Sequence, residues 1–169
     1  MPKSKIRFKG SLLKLLTCNV KLPNGYKVNL EIVKHPGAVL IVPFLNTGTL
    51  LLLKQYRPVV GDYLYEFPAG TLEKKEKPVS CARRELREET GYSTGKLFKL
   101  GTILPLPGYS TEKIVIYKAT NLKKNSMNAQ SDEIIETLII KKEEITRMLR
   151  QGKIIDAKTI CALALCGWV

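Results

Sequence analysis

This 169-residue sequence has a single histidine, no CxxC pair of cysteines and no long apolar run, and each of these shortages excludes a class of function. The single histidine, His35, excludes a histidine-rich metal site and argues against a histidine-based catalytic triad. The cysteines form no CxxC pair and have no zinc-type spacing. We therefore expect them to be reduced and mostly buried as apolar fillers; they are Cys18, Cys81, Cys161 and Cys166.

The apolar segments are too short to cross a bilayer, the longest being "GAVLIVPFL" and "ICALALCGWV". The basic start "MPKSKIRFKG" is not followed by the apolar segment of a signal peptide. No internal repeat and no glycine- or serine-rich linker divides the chain, whose length suits one domain with a sizeable core. We expect a cytoplasmic protein with no membrane partner.

Acidic residues are also few: 15 Asp and Glu stand against 28 Lys and Arg, a formal net charge of +13. A net charge of this size can indicate a surface that binds polyanions, or it can simply reflect a solvated lysine-rich surface. The lysines are scattered, often beside glutamates, and no basic run contains interleaved aromatic residues. This pattern favours the solvated surface over a nucleic-acid partner, although a positive field would help to attract an anionic substrate.

The apolar patterns predict a sheet covered by helices. Alternating residues on both sides of "PNG" predict a β-hairpin, and the continuous apolar runs "AVLIVPFL" and "TLLLLKQYR" predict strands covered on both faces. We expect further strands in "YLYEFPAGT", on either side of the proline-rich loop in "KLFKLGTILPLPGYSTEKIVIYKATNL", and in "IIETLIIKK". Helices are predicted from about Pro78 to Gly91, in "KEEITRMLRQG" and in "DAKTICALALCGW". The fold class is α/β with a mixed sheet.

Five of the scarce carboxylates lie within 23 residues, in "GTLEKKEKPVSCARRELREETGY". Helical spacing predicts that Val79, Ala82 and Leu86 are buried against the sheet and that three glutamates share the adjoining face, namely Glu85, Glu88 and Glu89. The same spacing directs Arg83, Arg84 and Arg87 elsewhere, which leaves the carboxylates without an obvious local cation. Grouped carboxylates of this kind suit Mg²⁺ or Mn²⁺ together with substrate phosphates, although a solvated surface is the commoner meaning of three such glutamates.

The full spacing of this segment resembles the signature of the Nudix hydrolases. That signature is G, five residues, E, seven residues, then R-E-U-x-E-E-x-G-U, in which U is apolar or aromatic. Here it is Gly70, Glu76 and the run from Arg84 to Tyr92, and all nine specified positions match. The match overturns the solvated-surface interpretation of the glutamates.

Flanking segments are similar to the ADP-ribose pyrophosphatase branch of that family. They are "KQYRPVVGDYLYEFPAG", "PGYSTEK", "QSDEIIETLI" and "GKIIDAKTICALAL", and Pro107 lies sixteen residues past Gly91, where that branch has a proline. The resemblance implies a Nudix-type α/β/α sandwich over residues 37–169. It also implies an N-terminal β-hairpin region over residues 1–36 that helps to build a homodimer.

For the metal site, the resemblance implies Mg²⁺ or Mn²⁺ held by Glu85 and Glu89, with the Ala69 carbonyl completing the site. Glu88 would be a ligand or would hold a water molecule. Arg84 and Glu76 would form an ion pair that braces the loop–helix–loop. Glu66 and Glu73 would lie near the site.

For the substrate, the resemblance implies that Arg57 contacts phosphate, with a surface salt bridge as the alternative role. Glu112 would bind the ribose or phosphate region, and the turn at Pro107 and Gly108 would shape its pocket. Relatives often place the catalytic base where this chain has "QSDE". Ser131 stands in the usual position of the first glutamate there, so the base stays open among Glu133, which we rank first, Asp132, Glu112 and a helix glutamate.

The activity that the resemblance implies is hydrolysis of the pyrophosphate bond of ADP-ribose or a related nucleoside diphosphate sugar. Water attacks a phosphorus atom, and the products are a nucleoside monophosphate and a sugar phosphate. Two alternatives stay open. One is a Nudix hydrolase acting on GDP-mannose or a damaged nucleotide; the other is a non-catalytic module that binds ADP-ribose or nucleic acid.

Overall fold

The computed structural model describes residues 4–125 and 134–169. Its strands are β1 (Ser4–Lys9), β2 (Lys14–Lys21), β3 (Lys27–Lys34), β4 (Ala38–Asn46), β5 (Thr49–Arg57), β6 (Asp62–Glu66), β7 (Ala69–Thr71), β8 (Tyr92–Ile103), β9 (Ile114–Lys124) and β10 (Ile135–Lys141). Its helices are α1 (Pro78–Thr90), α2 (Lys142–Arg150) and α3 (Ala157–Leu165). The chain divides into two compact units, which are Met1–Gly37 with Leu104–Lys113, and Ala38–Ile103 with Ile114–Val169.

The first unit contains a three-stranded antiparallel sheet in the order β1-β2-β3. The predicted hairpin is confirmed by β2 and β3, and Gly25 in its turn has a φ of 88°, which glycine adopts without a steric cost. The sequence patterns left β1 unpredicted. The loop of residues 104–113 belongs to this unit because Val33 exchanges backbone hydrogen bonds with Tyr109 and Thr111, at 2.8 and 3.0 Å.

The second unit is built on a seven-stranded sheet with β4 near its centre. The main order is β10-β5-β4-β9-β8, while β6 pairs with β5 and β7 pairs with β4. The β4–β9 pair is parallel, and the other pairs are antiparallel. The predicted mixed sheet is therefore confirmed.

Helices cover both faces of this sheet. One buried cluster joins α1 to alternate residues of β4 and to β9, and contains Val39, Ile41, Cys81, Ala82, Leu86, Tyr117 and Ala119. The cluster on the opposite face joins α2 and α3 to the intervening residues of β4, and includes Leu40, Val42, Phe44, Ile145, Met148 and Leu163. This three-layer arrangement explains why β4 is continuously apolar, since neither of its faces contacts water.

Two local predictions were wrong. The segment "YLYEFPAGT" is not one strand but β6 and β7, interrupted at Phe67 and Pro68. Pro68 has no N–H for a ladder, and the N–H of Phe67 donates instead to Thr159 Oγ1 at 3.1 Å. Val79 was predicted to be buried but is 45% exposed. The first turn of α1 is not covered by the sheet, and the buried residues of the helix begin at Cys81.

The cysteines divide evenly by environment. Cys18 and Cys81 are buried as predicted, Cys166 is partly buried, and Cys161 lies on the exposed side of α3, contrary to the prediction. Cys161 and Cys166 differ from the buried pair because α3 and the turn after it pack only one face against the core. Within the described residues, no helix has the length and apolarity that a membrane crossing requires.

Candidate active site

Helix α1 directs two glutamates inward rather than toward bulk water. The helix begins at Pro78, whose fixed φ suits a first turn, and ends at Gly91, which has a left-handed φ of 72°. Packing of Cys81, Ala82 and Leu86 against the sheet rotates Glu85 and Glu89 onto the buried side, where Glu89 is only 3% exposed. Such burial is costly for a carboxylate unless it has hydrogen bonds or a cation.

Gly70 allows the Glu85 carboxylate to lie directly against the backbone of β7. A Cβ atom at position 70 would be 1.9 Å from the Cδ and Oε1 atoms of Glu85. No other residue type fits there without moving Glu85. The glycine that opens the sequence signature is therefore required for close approach between a strand and a carboxylate, and not for a left-handed backbone conformation.

Arg84 lies among the carboxylates, which corrects the prediction that they lack a local cation. Its Nη1 donates to Glu85 Oε1 at 2.7 Å and to Glu88 Oε2 at 3.1 Å. Its Nε and Nη2 donate to the two oxygens of Glu76, both at 3.0 Å. Helical spacing predicts only the direction of the Cβ atom, and a long flexible side chain can fold back along its own helix.

The bidentate pair of Arg84 and Glu76 ties α1 to the loop before it. The hydrogen bond from Arg84 lowers the pKa of Glu76 to about 2. Glu76 also accepts a hydrogen bond from the backbone N–H of Glu73 at 3.0 Å, and the Arg84 Nη2 group reaches the Thr71 carbonyl at 3.4 Å. These contacts hold α1 to the loop before it, which is the bracing role that the resemblance implies for Arg84 and Glu76.

Glu89 is held against the β4–β7 pair. Its Oε2 accepts the backbone N–H of Ala69 at 2.9 Å, and Ala69 pairs with Leu40 in the sheet. The backbone carbonyl of Glu89 accepts a hydrogen bond from Thr137 Oγ1 of β10 at 3.3 Å. The structure therefore brings together Ala69, Gly70, Glu85 and Glu89, with Glu88 joined to them through Arg84.

A second group of charges surrounds Glu66 at the end of β6. Arg57 donates from Nε to Glu66 Oε1 at 2.9 Å and from Nη2 to Oε2 at 2.7 Å. Lys158 of α3 also donates to Glu66 Oε2, and to Asp156 Oδ1 at 2.8 Å. Burial alone would raise the pKa of Glu66, but the hydrogen bonds and charges of Arg57 and Lys158 lower it overall.

Arg57 belongs to the same electrostatic environment as the helix glutamates. Its hydrogen bond to Glu66 raises the pKa of the guanidinium, and the negative charge of Glu89 adds to the effect. The Arg57 side chain is 35% exposed whereas that of Glu66 is 1% exposed. The pair is thus a buried carboxylate that holds a partly exposed cation, rather than an ordinary surface salt bridge.

Of the remaining predicted residues, three belong to the first compact unit and one is outside the described part of the chain. Pro107, Gly108 and Glu112 belong to the first compact unit, where Pro107 and Gly108 form a turn. Glu112 is partly buried, with its Oε1 atom 3.8 Å from His35 Nδ1. Glu133, with Ser131 and Asp132, lies outside the described residues.

Sequence reasoning missed the contribution of Lys158 and Asp156. The available signal was Asp156 immediately before the apolar run of α3, which indicates an N-cap and so places Lys158 in the first turn. Asp156 does cap α3, since its Oδ2 accepts the Thr159 N–H at 3.0 Å. Nothing in the sequence indicates that this turn contacts Glu66, which is 92 residues away from Lys158.

Comparison with known proteins identifies the family. The NUDIX domain model matches residues 34–163. The chain belongs to the NUDIX domain family. Its α/β/α fold resembles a solved structure described as an ADP compounds hydrolase, with a TM-score of 0.80, 23% identity, and coverage of 98% of this chain and 93% of that one.

Curated relatives are more similar in sequence than that structure. An ADP-ribose pyrophosphatase of Bacillus subtilis is 35% identical over 92% of this chain and 85% of its own length. A methanol dehydrogenase activator of Bacillus methanolicus is 36% identical with the same coverage. A GDP-mannose pyrophosphatase of Pectobacterium atrosepticum is 35% identical over 78% of this chain and 74% of its own length.

NUDIX hydrolases generally use a divalent metal ion, and the donor chemistry of this site fits one. Carboxylate and backbone carbonyl oxygens are the ligands that hard divalent cations prefer. In the described part of the chain, no three Asp, Glu, His or Cys side chains converge closely enough to form a metal site. Within this cluster, Glu85 Oε1 accepts a hydrogen bond from Arg84 Nη1.

Proposed function

We propose that this NUDIX hydrolase cleaves the pyrophosphate bond of ADP-ribose or a related nucleoside diphosphate sugar with the help of Mg²⁺, or of Mn²⁺ in its place. The observation that carries the proposal is the complete signature folded as one loop–helix–loop, in which Glu85 and Glu89 are buried against Gly70 and Ala69. The similarity to an ADP-ribose pyrophosphatase supports this substrate class.

In this proposal Glu85, Glu89 and the Ala69 carbonyl would hold the metal ion, and Glu88 would either join them or hold a water molecule. The bound ion supplies positive charge to the phosphate oxygens and makes water more acidic. Glu133 accepts the proton of the attacking water, and the oxygen of that water forms a bond to a phosphorus atom. The bridging P–O bond breaks, so that ADP-ribose gives AMP and ribose 5-phosphate.

The chain's own cations and turns position the substrate. Arg57 donates to phosphate, for which a planar guanidinium is well shaped. Glu112 binds the ribose or phosphate region, and the turn at Pro107 and Gly108 shapes the pocket. The basic surface of the chain attracts the polyanion from solution.

A substrate panel tests this proposal. The purified protein is incubated with Mg²⁺ and, separately, ADP-ribose, GDP-mannose, other nucleoside diphosphate sugars and nucleoside triphosphates, and the released monophosphate or phosphate is quantified. We expect the highest kcat/KM for ADP-ribose or another nucleoside diphosphate sugar. The similarity to a GDP-mannose pyrophosphatase favours GDP-mannose as the alternative substrate. A preference for GDP-mannose would change the assigned substrate but not the type of reaction. No turnover of any compound would contradict the proposal.

A second candidate function is activation of a methanol dehydrogenase, favoured by the 36% identity to such an activator. It is tested by adding the protein to a methanol dehydrogenase and measuring the initial rate of methanol oxidation. Stimulation by the wild-type chain but not by Glu89→Gln would join this function to the same site. A rate that is unchanged by the wild-type chain would exclude it for that dehydrogenase.

A further inference from the structure

The Glu66 carboxylate has two cationic partners, Arg57 and Lys158. Its side chain is 1% exposed, and its oxygens accept hydrogen bonds from Arg57 and Lys158. Lys158 also donates to Asp156, so the group contains two cations and two carboxylates. Its formal charges cancel, which is the condition under which buried ions are tolerated.

The geometry leaves part of the Arg57 guanidinium available to a ligand. Glu66 uses the edge formed by Nε and Nη2, at 2.9 and 2.7 Å. Within residues 4–125 and 134–169, Nη1 of Arg57 makes no hydrogen bond. The carboxylate thus fixes the plane of the guanidinium while the two N–H groups of Nη1 stay available to donate charge-assisted hydrogen bonds to phosphate.

The first turn of α3 holds both the Lys158 side chain and the end of β6 in place. Asp156 caps the helix through the Thr159 N–H at 3.0 Å and holds the Lys158 ammonium at 2.8 Å. Thr159 Oγ1 accepts the N–H of Phe67, the residue after Glu66, at 3.1 Å. Residues 66 and 67 are therefore both held by this one helical turn.

Removing the lysine charge would change both the position and the charge of the group. The remaining Arg57, Glu66 and Asp156 would have a net negative charge where a polyanionic substrate is to bind. A buried carboxylate with one cation would also compete more strongly with the substrate phosphates for Arg57. Lys158 offsets both effects, because it stays paired with Glu66 while Arg57 shares its donors.

We propose that Lys158 is a positioning residue for substrate binding: held by Asp156, it neutralises Glu66, which fixes Arg57 for contact with the substrate phosphates. This inference rests on the proposed function, in which Arg57 is the phosphate contact. It assigns a role in the site to α3, whose "DAKT" segment contains none of the signature residues.

Steady-state kinetics with ADP-ribose and Mg²⁺ test the inference. Lys158→Met, which keeps the length of the side chain, is expected to raise KM roughly five- to tenfold and to change kcat less than about twofold. Lys158→Arg, which keeps the charge, is expected to stay within about twofold of wild type in both constants. Lys153→Met, an exposed lysine in the same segment, is the matched control and should leave both constants unchanged.

A double-mutant cycle shows whether Lys158 acts through Arg57. Arg57→Ala should raise KM, and adding Lys158→Met to Arg57→Ala should raise it no further. If Arg57→Ala leaves KM unchanged, the proposed phosphate contact is wrong. If Arg57→Ala raises KM but Lys158→Met does not, or if the two effects multiply, only the present inference is wrong.

A milder variant decides the matter if Lys158→Met does not fold, which circular dichroism will show. Asp156→Asn keeps the N-cap acceptor and removes the charge that holds Lys158. It is expected to raise KM about two- to threefold, and again only when Arg57 is present. An unchanged KM for a folded Asp156→Asn protein would overturn the inference.

Discussion

At the scale of single residues, the site depends on a few close contacts. Gly70 is required because the Glu85 carboxylate occupies the space of its missing side chain. Glu89 is buried and accepts the N–H of Ala69. Arg84 donates hydrogen bonds to three glutamates, so one cation compensates carboxylates that would otherwise repel each other.

Gly70→Ala should damage both stability and turnover. A Cβ atom 1.9 Å from the Glu85 carboxyl group forces that side chain or β7 to move. We expect the free energy of unfolding in urea to fall by about 1–3 kcal/mol and kcat/KM to fall at least tenfold. Gly48→Ala is the control, because a Cβ there would meet only the Asn46 side chain at 4.0 Å. Equal behaviour of the two variants would contradict the close approach.

Glu89→Gln should remove activity without removing the fold. The amide oxygen of glutamine can still accept the Ala69 N–H, but the charge that would hold a cation is lost. We expect kcat/KM to fall by about 100-fold or more, with a melting temperature close to that of wild type. The exposed Glu143→Gln is the matched control. Turnover of Glu89→Gln within about twofold of wild type would show that Glu89 is not a metal ligand.

At the scale of elements, α1 and the strands beneath it could be predicted because their signals are local. Pro78 and Gly91 mark the ends of the helix, and continuous apolar runs mark β4 and β5. The long-range contacts could not be predicted in this way. The break between β6 and β7 is stabilised by Thr159, which is distant in sequence, and the position of the Arg84 guanidinium depends on the loop that contains Glu76.

Glu76→Gln should weaken the brace between α1 and its preceding loop in a pH-dependent way. The folded protein holds the pKa of Glu76 at about 2, below its ordinary value of 4.5. Its contribution to stability is therefore complete above about pH 4.5 and is lost as the pH falls toward 2.

Urea unfolding of wild type and Glu76→Gln measures this contribution. At pH 7 we expect the variant to be less stable by about 1 kcal/mol, since solvent screens a partly exposed pair. The difference should shrink between pH 4.5 and pH 2 as Glu76 protonates in the wild-type protein. A difference that is constant across that range would mean that Glu76 stabilises the loop by packing and not by its charge.

At the scale of the whole molecule, the family and the sheet followed from the sequence, whereas assembly stays a prediction. The signature and its flanking segments were sufficient to assign a NUDIX fold, because spacing on one helix and apolar patterning determine it. Three predictions stay untested: the domain boundary at residue 37, the homodimer and the cytoplasmic location. They depend on surfaces and partners that local sequence patterns do not specify.

Sedimentation equilibrium tests the predicted homodimer. The edge strand β1 exposes Ile6 and Phe8, apolar side chains that a partner subunit could cover. We expect the wild-type chain to have twice the mass of one chain, and Ile6→Glu with Phe8→Glu to shift it toward the monomer. Val59→Glu, at an exposed apolar residue outside the hairpin region, is the control. A monomeric wild-type protein would contradict the prediction.

The central claim is that the acidic face of α1 serves metal-dependent cleavage of a phosphoanhydride. The most direct measurement is the rate of AMP release from ADP-ribose by the purified protein, first with Mg²⁺, then with excess EDTA, and then after Mg²⁺ is restored. Our account predicts turnover that EDTA abolishes and Mg²⁺ restores, with Glu89→Gln inactive throughout. Turnover that continues at the same rate in EDTA, or that Glu89→Gln retains, would contradict it.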